Sequence, residues 1–240
     1  MDLVGPCARI GRALLAFVLP DACLVCGTPL EGGERDLCAR CRLVLRPAAP
    51  RALPLPTLEG GEDAPRPETE FAAYALDFDG PARALVHALK YQGRRGVADT
   101  LAAIIGPLVA NLPGAGVDAI VPVPLHPVRL RERGFNQTDL IAGGLARFAG
   151  APVQTAWLRR ARPTRTQTDL SRADRIRNVR GAFAAGRALQ GTRLLLLDDV
   201  VTTGATLASA ASALRRAGAS CECFAVAGAK LVDKTPRGRL

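Results

Sequence analysis

The sequence has almost no lysine, few aromatic rings and no long apolar run, and each shortage closes off a class of function. The three lysines, Lys90, Lys230 and Lys234, stand in a chain of 240 residues with 32 Lys and Arg in all, and none of them follows a glycine. The G-x-x-x-x-G-K-[ST] phosphate loop of P-loop nucleotidases is therefore missing. Only ten residues are aromatic, which makes base-stacking platforms for nucleic acid sparse. No stretch reaches the roughly 18–20 apolar residues of a membrane helix, so no membrane insertion is expected. Ala13–Leu19, preceded by Arg9 and Arg12, superficially resembles a signal peptide. Its apolar run is short, and Pro20 and Asp21 follow where a small-residue cleavage site would stand. It reads as a short amphipathic helix packing near the first cysteines. The expected compartment is cytoplasmic, where thiols stay reduced and paired cysteines suggest metal rather than disulfides.

What the chain does have is apolar bulk and concentrated positive charge. Hydrophobic residues make up 48% of the sequence, enough for one α/β domain with a small accessory module. The net charge of +10 is carried entirely between Leu125 and Arg193, where fourteen arginines meet four acidic residues. Such a concentration suggests an anionic partner, a polyphosphorylated small molecule or nucleic acid.

Four regions follow along the chain. Residues 1–46 hold the short helix and four closely spaced cysteines. Residues 47–70, with six prolines and an adjacent glycine pair, read as a linker. Residues 71–230 read as an α/β domain, and residues 231–240 as a tail. Within the domain the pattern predicts strands at Phe71–Phe78, Ala119–Val123, Val153–Trp157, Leu194–Leu197 and Cys221–Ala227, the last closing the sheet. Helices are predicted over Pro81–Gln92, Val97–Asn111, Gln137–Phe148 and Ala205–Ala217. Alternating strands and helices give a parallel sheet covered by helices on both faces. No internal repeat is visible.

The most informative string is Leu194-Leu-Leu-Leu-Asp-Asp-Val-Val-Thr-Thr-Gly-Ala-Thr206. A buried strand carries Asp198 and Asp199 to its carboxyl end, where open α/β sheets bind ligands. Val201, Thr202, Thr203, Gly204, Ala205 and Thr206 then lead directly into a helix. Three threonine hydroxyls, a glycine and the free N–H groups of a helix start form a cradle for a phosphate monoester. The adjacent carboxylates would repel phosphate but suit ribose hydroxyls or Mg²⁺. The expected ligand therefore carries a phosphate beside a diol. The same strand also resembles a Walker B element, a reading that needs the phosphate loop this chain lacks.

Cys23-x2-Cys26 and Cys38-x2-Cys41 are two C-x-x-C pairs separated by eleven residues. Their spacing suits tetrahedral coordination of a structural Zn²⁺, with no open position for catalysis. Cys7, Cys221 and Cys223 lack metal spacing and read as packing residues.

The Asp198–Thr206 string resembles the PRPP-binding motif of type I phosphoribosyltransferases. Val121-Pro-Val-Pro-Leu-His-Pro followed by Arg133-Gly-Phe-Asn-Gln137 resembles the ComF family of phosphoribosyltransferase-like competence proteins. So do Lys90-Tyr-Gln-Gly93 and the spread pattern Thr166-Gln167, Leu170, Arg175, Asn178, Ala182-Phe183, and the likeness extends to the amino-terminal cysteines. That resemblance implies a type I phosphoribosyltransferase-like fold behind a zinc ribbon. It gives Asp198 and Asp199 the ribose hydroxyls and Thr202–Thr206 the 5-phosphate. Val123, Pro124, Leu125, Arg133, Asn136 and Gln137 would face pyrophosphate, with Mg²⁺ bound alongside PRPP. Arg159–Arg180 would form a mobile lid, with Arg165, Gln167, Arg172, Arg175 and Asn178 in contact. The implied function is phosphoribosyl transfer to an unidentified acceptor, linked to DNA uptake. The alternative is a non-catalytic PRPP sensor that binds single-stranded DNA, with competence-machinery proteins as further partners. No residue declares itself as general base; His126 reads as a plain loop histidine.

Overall fold

The computed structural model describes residues 21–45, 47, 49–56, 70–112, 116–162 and 172–229. The expected helix at Ala13–Leu19, the 231–240 tail and the lid residues Arg165 and Gln167 lie outside these residues.

Five strands form the main sheet in the order β1-β2-β7-β6-β3. They are β1 (Arg51–Pro54), β2 (Phe71–Asp77), β3 (Ala119–Pro122), β6 (Arg193–Val201) and β7 (Ser220–Gly228). The pairs β2–β7, β7–β6 and β6–β3 are parallel, and β1 pairs antiparallel to β2. A separate antiparallel pair joins β4 (Leu158–Arg160) to β5 (Phe183–Ala185). The helices are α1 (Ala39–Val44), α2 (Gly80–Tyr91), α3 (Val97–Ala110), α4 (Pro127–Arg133), α5 (Gln137–Ala149), α6 (Arg172–Val179) and α7 (Ala205–Arg216).

Four sequence expectations change. First, β1 lies inside the proline-rich 47–70 segment. Its prolines are tolerated because it is an edge strand, where Pro54 needs no second partner. Second, β7 does not close the sheet but runs between β2 and β6, which explains its unbroken burial from Cys223 to Gly228. Third, Val153–Trp157 is not a strand. Val153 makes a single parallel bridge to Ile120, and Thr155–Trp157 turns as a 3-10 helix before β4. Fourth, the loop after β3 contains α4, started by Pro127 and stopped by Gly134 at φ 75°.

The sheet separates two apolar cores. One is filled by Leu85, Val86 and Leu89 of α2, Leu101 and Ile105 of α3, Ile141 and Leu145 of α5, and Leu195 and Leu197 of β6. Helices α3 and α5 cross closely there, since a Cβ on Gly144 would lie 2.6 Å from that of Ala102. The other core joins Leu194 and Leu196 to Leu207, Ala211 and Leu214 of α7 and to Leu158 and Phe183 of the β4–β5 pair.

The cysteine region is not a detached ribbon. Cys23, Leu37, Cys41 and Leu45 belong to the same buried cluster as α2 and α3. Thr100 of α3 donates a hydrogen bond to the Asp36 carboxylate at 2.7 Å, holding Asp36 at φ 59°, a strained setting for a non-glycine residue. The cysteine region and the sheet should therefore unfold together. Leu37→Ala, at a site 2% exposed, should lower global stability by about 2–5 kcal/mol. Denaturation followed by far-ultraviolet circular dichroism should keep one transition. A separate early transition that leaves the sheet's stability unchanged would contradict this packing.

Candidate functional site

Strand β6 runs past the expected Leu194–Leu197 and carries both aspartates within it, pairing Asp198 with Ala225 and Val200 with Ala227. On its other side β3 stops at the Pro122–Leu197 pair, and Val123 N–H adds one further bond to Leu197 O at 2.8 Å. The carboxylates therefore stand where β6 outruns its neighbour, at a crevice rather than in a continuous ladder.

Consecutive residues on a strand point to opposite faces, and this separates two groups that the sequence reading treated alike. Asp199, 5% exposed, lies on the α2–α5 side. Lys90 at the end of α2 pairs with it at 2.9 Å. Gln137 at the start of α5 donates its Nε2–H to the same oxygen, Oδ2, while Arg133 of α4 donates to Gln137 Oε1. Two stretches far apart in sequence, Lys90–Gly93 and Arg133–Gln137, thus converge on one buried carboxylate. A lysine suits this place because its compact ammonium meets a single oxygen without needing a two-pronged partner.

Asp198 turns to the other face, toward β4 and β5. It is half-buried, and its Oδ1 accepts the Asp199 backbone N–H at 2.8 Å. Burial, then the charge of Asp199, pushes its carboxyl up to about 7, opposed by the charges of Lys90 and Arg160. Arg160 faces Phe183 across the β4–β5 pair, its guanidinium 5.1 Å from the ring centroid. Burial lowers its basicity and Asp198 raises it. The sequence reading placed Arg159, Arg160 and Arg162 alike in the Arg159–Arg180 lid. Only Arg159 and Arg162 are exposed; Arg160 belongs to the Asp198 side.

After Val201, residues Thr202, Thr203 and Gly204 make the turn into α7, which begins at Ala205. The helix start leaves N–H groups of its first turn without intrahelical acceptors, a setting that favours an anion. Thr203 Oγ1 accepts the Ala205 N–H at 3.4 Å. Gly204 adopts φ 75°, and a Cβ there would lie 2.7 Å from Leu55 Cδ2. The glycine is required by packing against the residues after β1 as much as by any approach of a ligand.

The residues expected near pyrophosphate divide. Arg133 and Gln137 reach the carboxylate network. Asn136 is a buried helix cap: its Oδ1 accepts the Thr138 N–H, and its amide nitrogen donates to Val123 O at 3.1 Å and to Asp139 Oδ1 at 2.6 Å. It fixes the turn of Val123, Pro124 and Leu125 beside the β6 end. His126 caps α4 by accepting the Val128 N–H on Nδ1, and burial with nearby arginines lowers its basicity. Of the expected lid residues, Arg172, Arg175 and Asn178 lie on α6. Lys90 carries no role from sequence alone. Its rarity among so many arginines was the available signal.

A second constellation joins Cys23, Cys26, Cys38 and Cys41, whose Sγ atoms all lie within 4.8 Å of one another. Cys26 and Cys38 sulfurs are 3.7 Å apart, against about 3.8 Å for the edge of a tetrahedron with Zn–S bonds of about 2.3 Å. Hydrogen bonds from Thr28 bring the Cys26 thiol down to about 6. Burial and the three facing cysteines push Cys41 up to about 12. A central cation offsets that repulsion, so the donor set fits one zinc ion.

Metal analysis should return about one zinc per chain, and Cys38→Ser should lose it and lower the melting temperature of the whole domain. Fully metal-free protein with an unchanged melting temperature would contradict the assignment. Asp199→Asn should destabilise the fold by about 1–3 kcal/mol, since it leaves the partly buried Lys90 without its counter-ion. Lys90→Met together with Asp199→Asn should recover part of that loss. A double variant no more stable than Asp199→Asn alone, measured by urea unfolding, would show that the pair is not the source.

No protein-family model matches the chain. Comparison with known proteins gives a 33% identical relative in the DNA utilization protein YhgH of Escherichia coli K12, over 223 residues covering 85% of this chain and 95% of that protein. Competence protein F of Haemophilus influenzae is 34% identical over 149 residues, 58% of this chain and 63% of the relative. Competence protein ComFC of Bacillus subtilis is 34% identical over 99 residues, 41% and 39% of the two chains. With that identity sustained over nearly the full length of YhgH, the chain belongs to the ComF family of competence and DNA utilization proteins.

Proposed function

We propose that the chain binds 5-phosphoribosyl 1-diphosphate and, through it, transfers a phosphoribosyl group to an acceptor. The observation that carries this reading is the pair of carboxylates at the overrunning end of β6, flanked by a helix start on one side and by Lys90, Arg133 and Gln137 on the other. The Thr202–Thr206 turn would hold the 5-phosphate on its N–H groups and hydroxyls. Asp198 would accept from the ribose hydroxyls. Asp199 would position Lys90 and Gln137 toward the diphosphate, with the Val123–Leu125 turn beside them. The donor set around the crevice is rich in oxygen, as Mg²⁺ requires. When bound, Mg²⁺ would neutralise diphosphate charge.

In the transfer, the bond from ribose C1 to the diphosphate oxygen breaks as the acceptor's nucleophilic atom bonds to C1. The diphosphate departs with the electron pair, and the acceptor's proton passes to solvent. Asp198 lies on the side where positive charge would develop on the ribose, and Lys90 and Arg133 on the side where negative charge would collect. A second reading is favoured by the arginines of Leu125–Arg193 and by the relatives named for DNA utilization and competence. In it the site senses the same ligand without turnover, and the protein handles a DNA strand in company with other competence proteins. A screen for pyrophosphate release across candidate acceptors separates the two.

Calorimetry tests the shared core of both. Binding should depend on Mg²⁺, and Asp198→Asn should weaken it roughly ten- to a hundredfold, the loss of a charged hydrogen-bond partner worth about 1.5–3 kcal/mol. The pH profile should differ as well. Asp198, held up to about 7, is protonated below that value and ionised above it. Its charged form is the one that accepts from two hydroxyls, so the advantage of wild type over Asp198→Asn should grow as pH rises from 6 to 8. No Mg²⁺-dependent binding in the wild type, or equal affinity in the variant across that range, would sink the proposal.

A further inference from the structure

Beside the Lys90–Asp199 pair, on the surface between the end of α2 and α4, lies a cleft of about 330 Å³. Its lining includes Lys90, Tyr91, Arg129, Glu132, Arg133 and Phe135. Tyr91 is 66% exposed, unusual for a ring that lies in a formed cleft. Arg133 lies 5.5 Å from its ring centroid, and the His87 ring, one helical turn earlier, is 4.8 Å away. Phe135 carries Arg95 on its face at 4.7 Å. Aromatic rings are scarce in this chain, yet two of the ten meet here, each paired with a guanidinium.

The charge is one-sided. Lys90, Arg95, Arg129 and Arg133 stand against two acids, Glu132, which pairs with Arg129 at 2.9 Å, and Asp199, which pairs with Lys90 at 2.9 Å, and Arg94 beside them is exposed. We infer that this cleft is a stacking site for one base of a single-stranded nucleic acid, with the flanking arginines holding the adjacent phosphates. The exposed part of the Tyr91 ring, flanked by Arg133 and His87, offers a stacking surface to any base, and that contact is indifferent to sequence. The volume is at the small end of ligand clefts, which run from about 300 to 1,000 Å³, so one base fits and a duplex, with its base faces covered, does not. The strand contact thus rests on the face where aromatic and cationic groups coincide. The inference gives the second reading above a location; because the cleft shares Lys90 and Arg133 with the proposed diphosphate side, strand binding is tested with the phosphoribosyl ligand left out.

The test uses fluorescence anisotropy of labelled oligothymidylate with full-length protein, without Mg²⁺ or phosphoribosyl ligand. Tyr91→Leu should weaken binding roughly five- to 150-fold, the range expected for one stacked base. Tyr91→Phe, which keeps the ring, should bind nearly as wild type. An abasic strand of equal length and charge should bind as poorly to wild type as oligothymidylate does to Tyr91→Leu. Melting temperatures of both variants check that the fold is retained, and Phe135→Leu gives an independent loss of one ring. Tyr91→Leu binding as tightly as wild type would overturn the inference. So would abasic strands binding equally well, or Arg159→Glu with Arg162→Glu abolishing binding that both ring variants leave intact. Displacement of the strand by thymidine 5′-monophosphate at comparable concentration would also overturn it, assigning the cleft to a free nucleotide.

Discussion

Two adjacent carboxylates at the end of a buried strand repel each other and lose hydration, and the surrounding architecture answers that cost. Strand geometry sends the side chains to opposite faces, so each acquires its own surroundings. On one face Asp199 is matched by Lys90 and hydrogen-bonded by Gln137. On the other Asp198 meets Arg160, which is supported by the Phe183 ring. Two helix termini, α2's end and α5's start, are thereby tied to the same point of β6. Asn136 adds a third tie by binding the end of β3. The crevice is shaped by satisfying these charges, and it is a crevice only because β3 stops four residues before β6 does.

The different fates of the two aspartates have a functional consequence. A carboxylate already engaged with an ammonium and an amide is a fixed element that orders its partners. One held near neutrality, with burial opposing its charge, responds to whatever cation or hydroxyl arrives. Proposed roles follow that division: Asp199 arranges the basic side, and Asp198 meets the ligand. Behind α2 and α3, Cys23 and Cys41, with Cys38 packed against them, extend the same apolar core. A zinc ion there would brace α2, whose end reaches the crevice, and α3, which packs on α5, so the module would support the site without touching it.

Much of this was legible in the sequence because local rules govern it. The run Leu194–Leu197 reads as a buried strand, Gly204 marks the entry to α7, and the spacing Cys23-x2-Cys26 pairs with Cys38-x2-Cys41 as a metal set. What could not be read depends on contacts between distant segments. Leu53 and Leu55 sit among prolines, and only their packing against Gly204 and β2 reveals a strand. Val153–Trp157 has strand-like composition, but β3 is too short to offer it more than one bridge. Arg160 looks like any other arginine in a basic stretch until Phe183 and Asp198 appear beside it. The meeting of Lys90 with Asp199 spans more than a hundred positions, and no periodicity announces it.

In the proposed complex one ligand bridges the helix start after β6 and the basic side built on Asp199. Phosphorus-31 resonance spectra of 5-phosphoribosyl 1-diphosphate with Mg²⁺, recorded with and without the protein, test it most directly. The 5-phosphate resonance and both diphosphate resonances should broaden or shift together. Thr203→Val should restore chiefly the 5-phosphate signal and Lys90→Met chiefly the diphosphate signals. Spectra unchanged by the protein, or perturbed only at the diphosphate, would contradict the account.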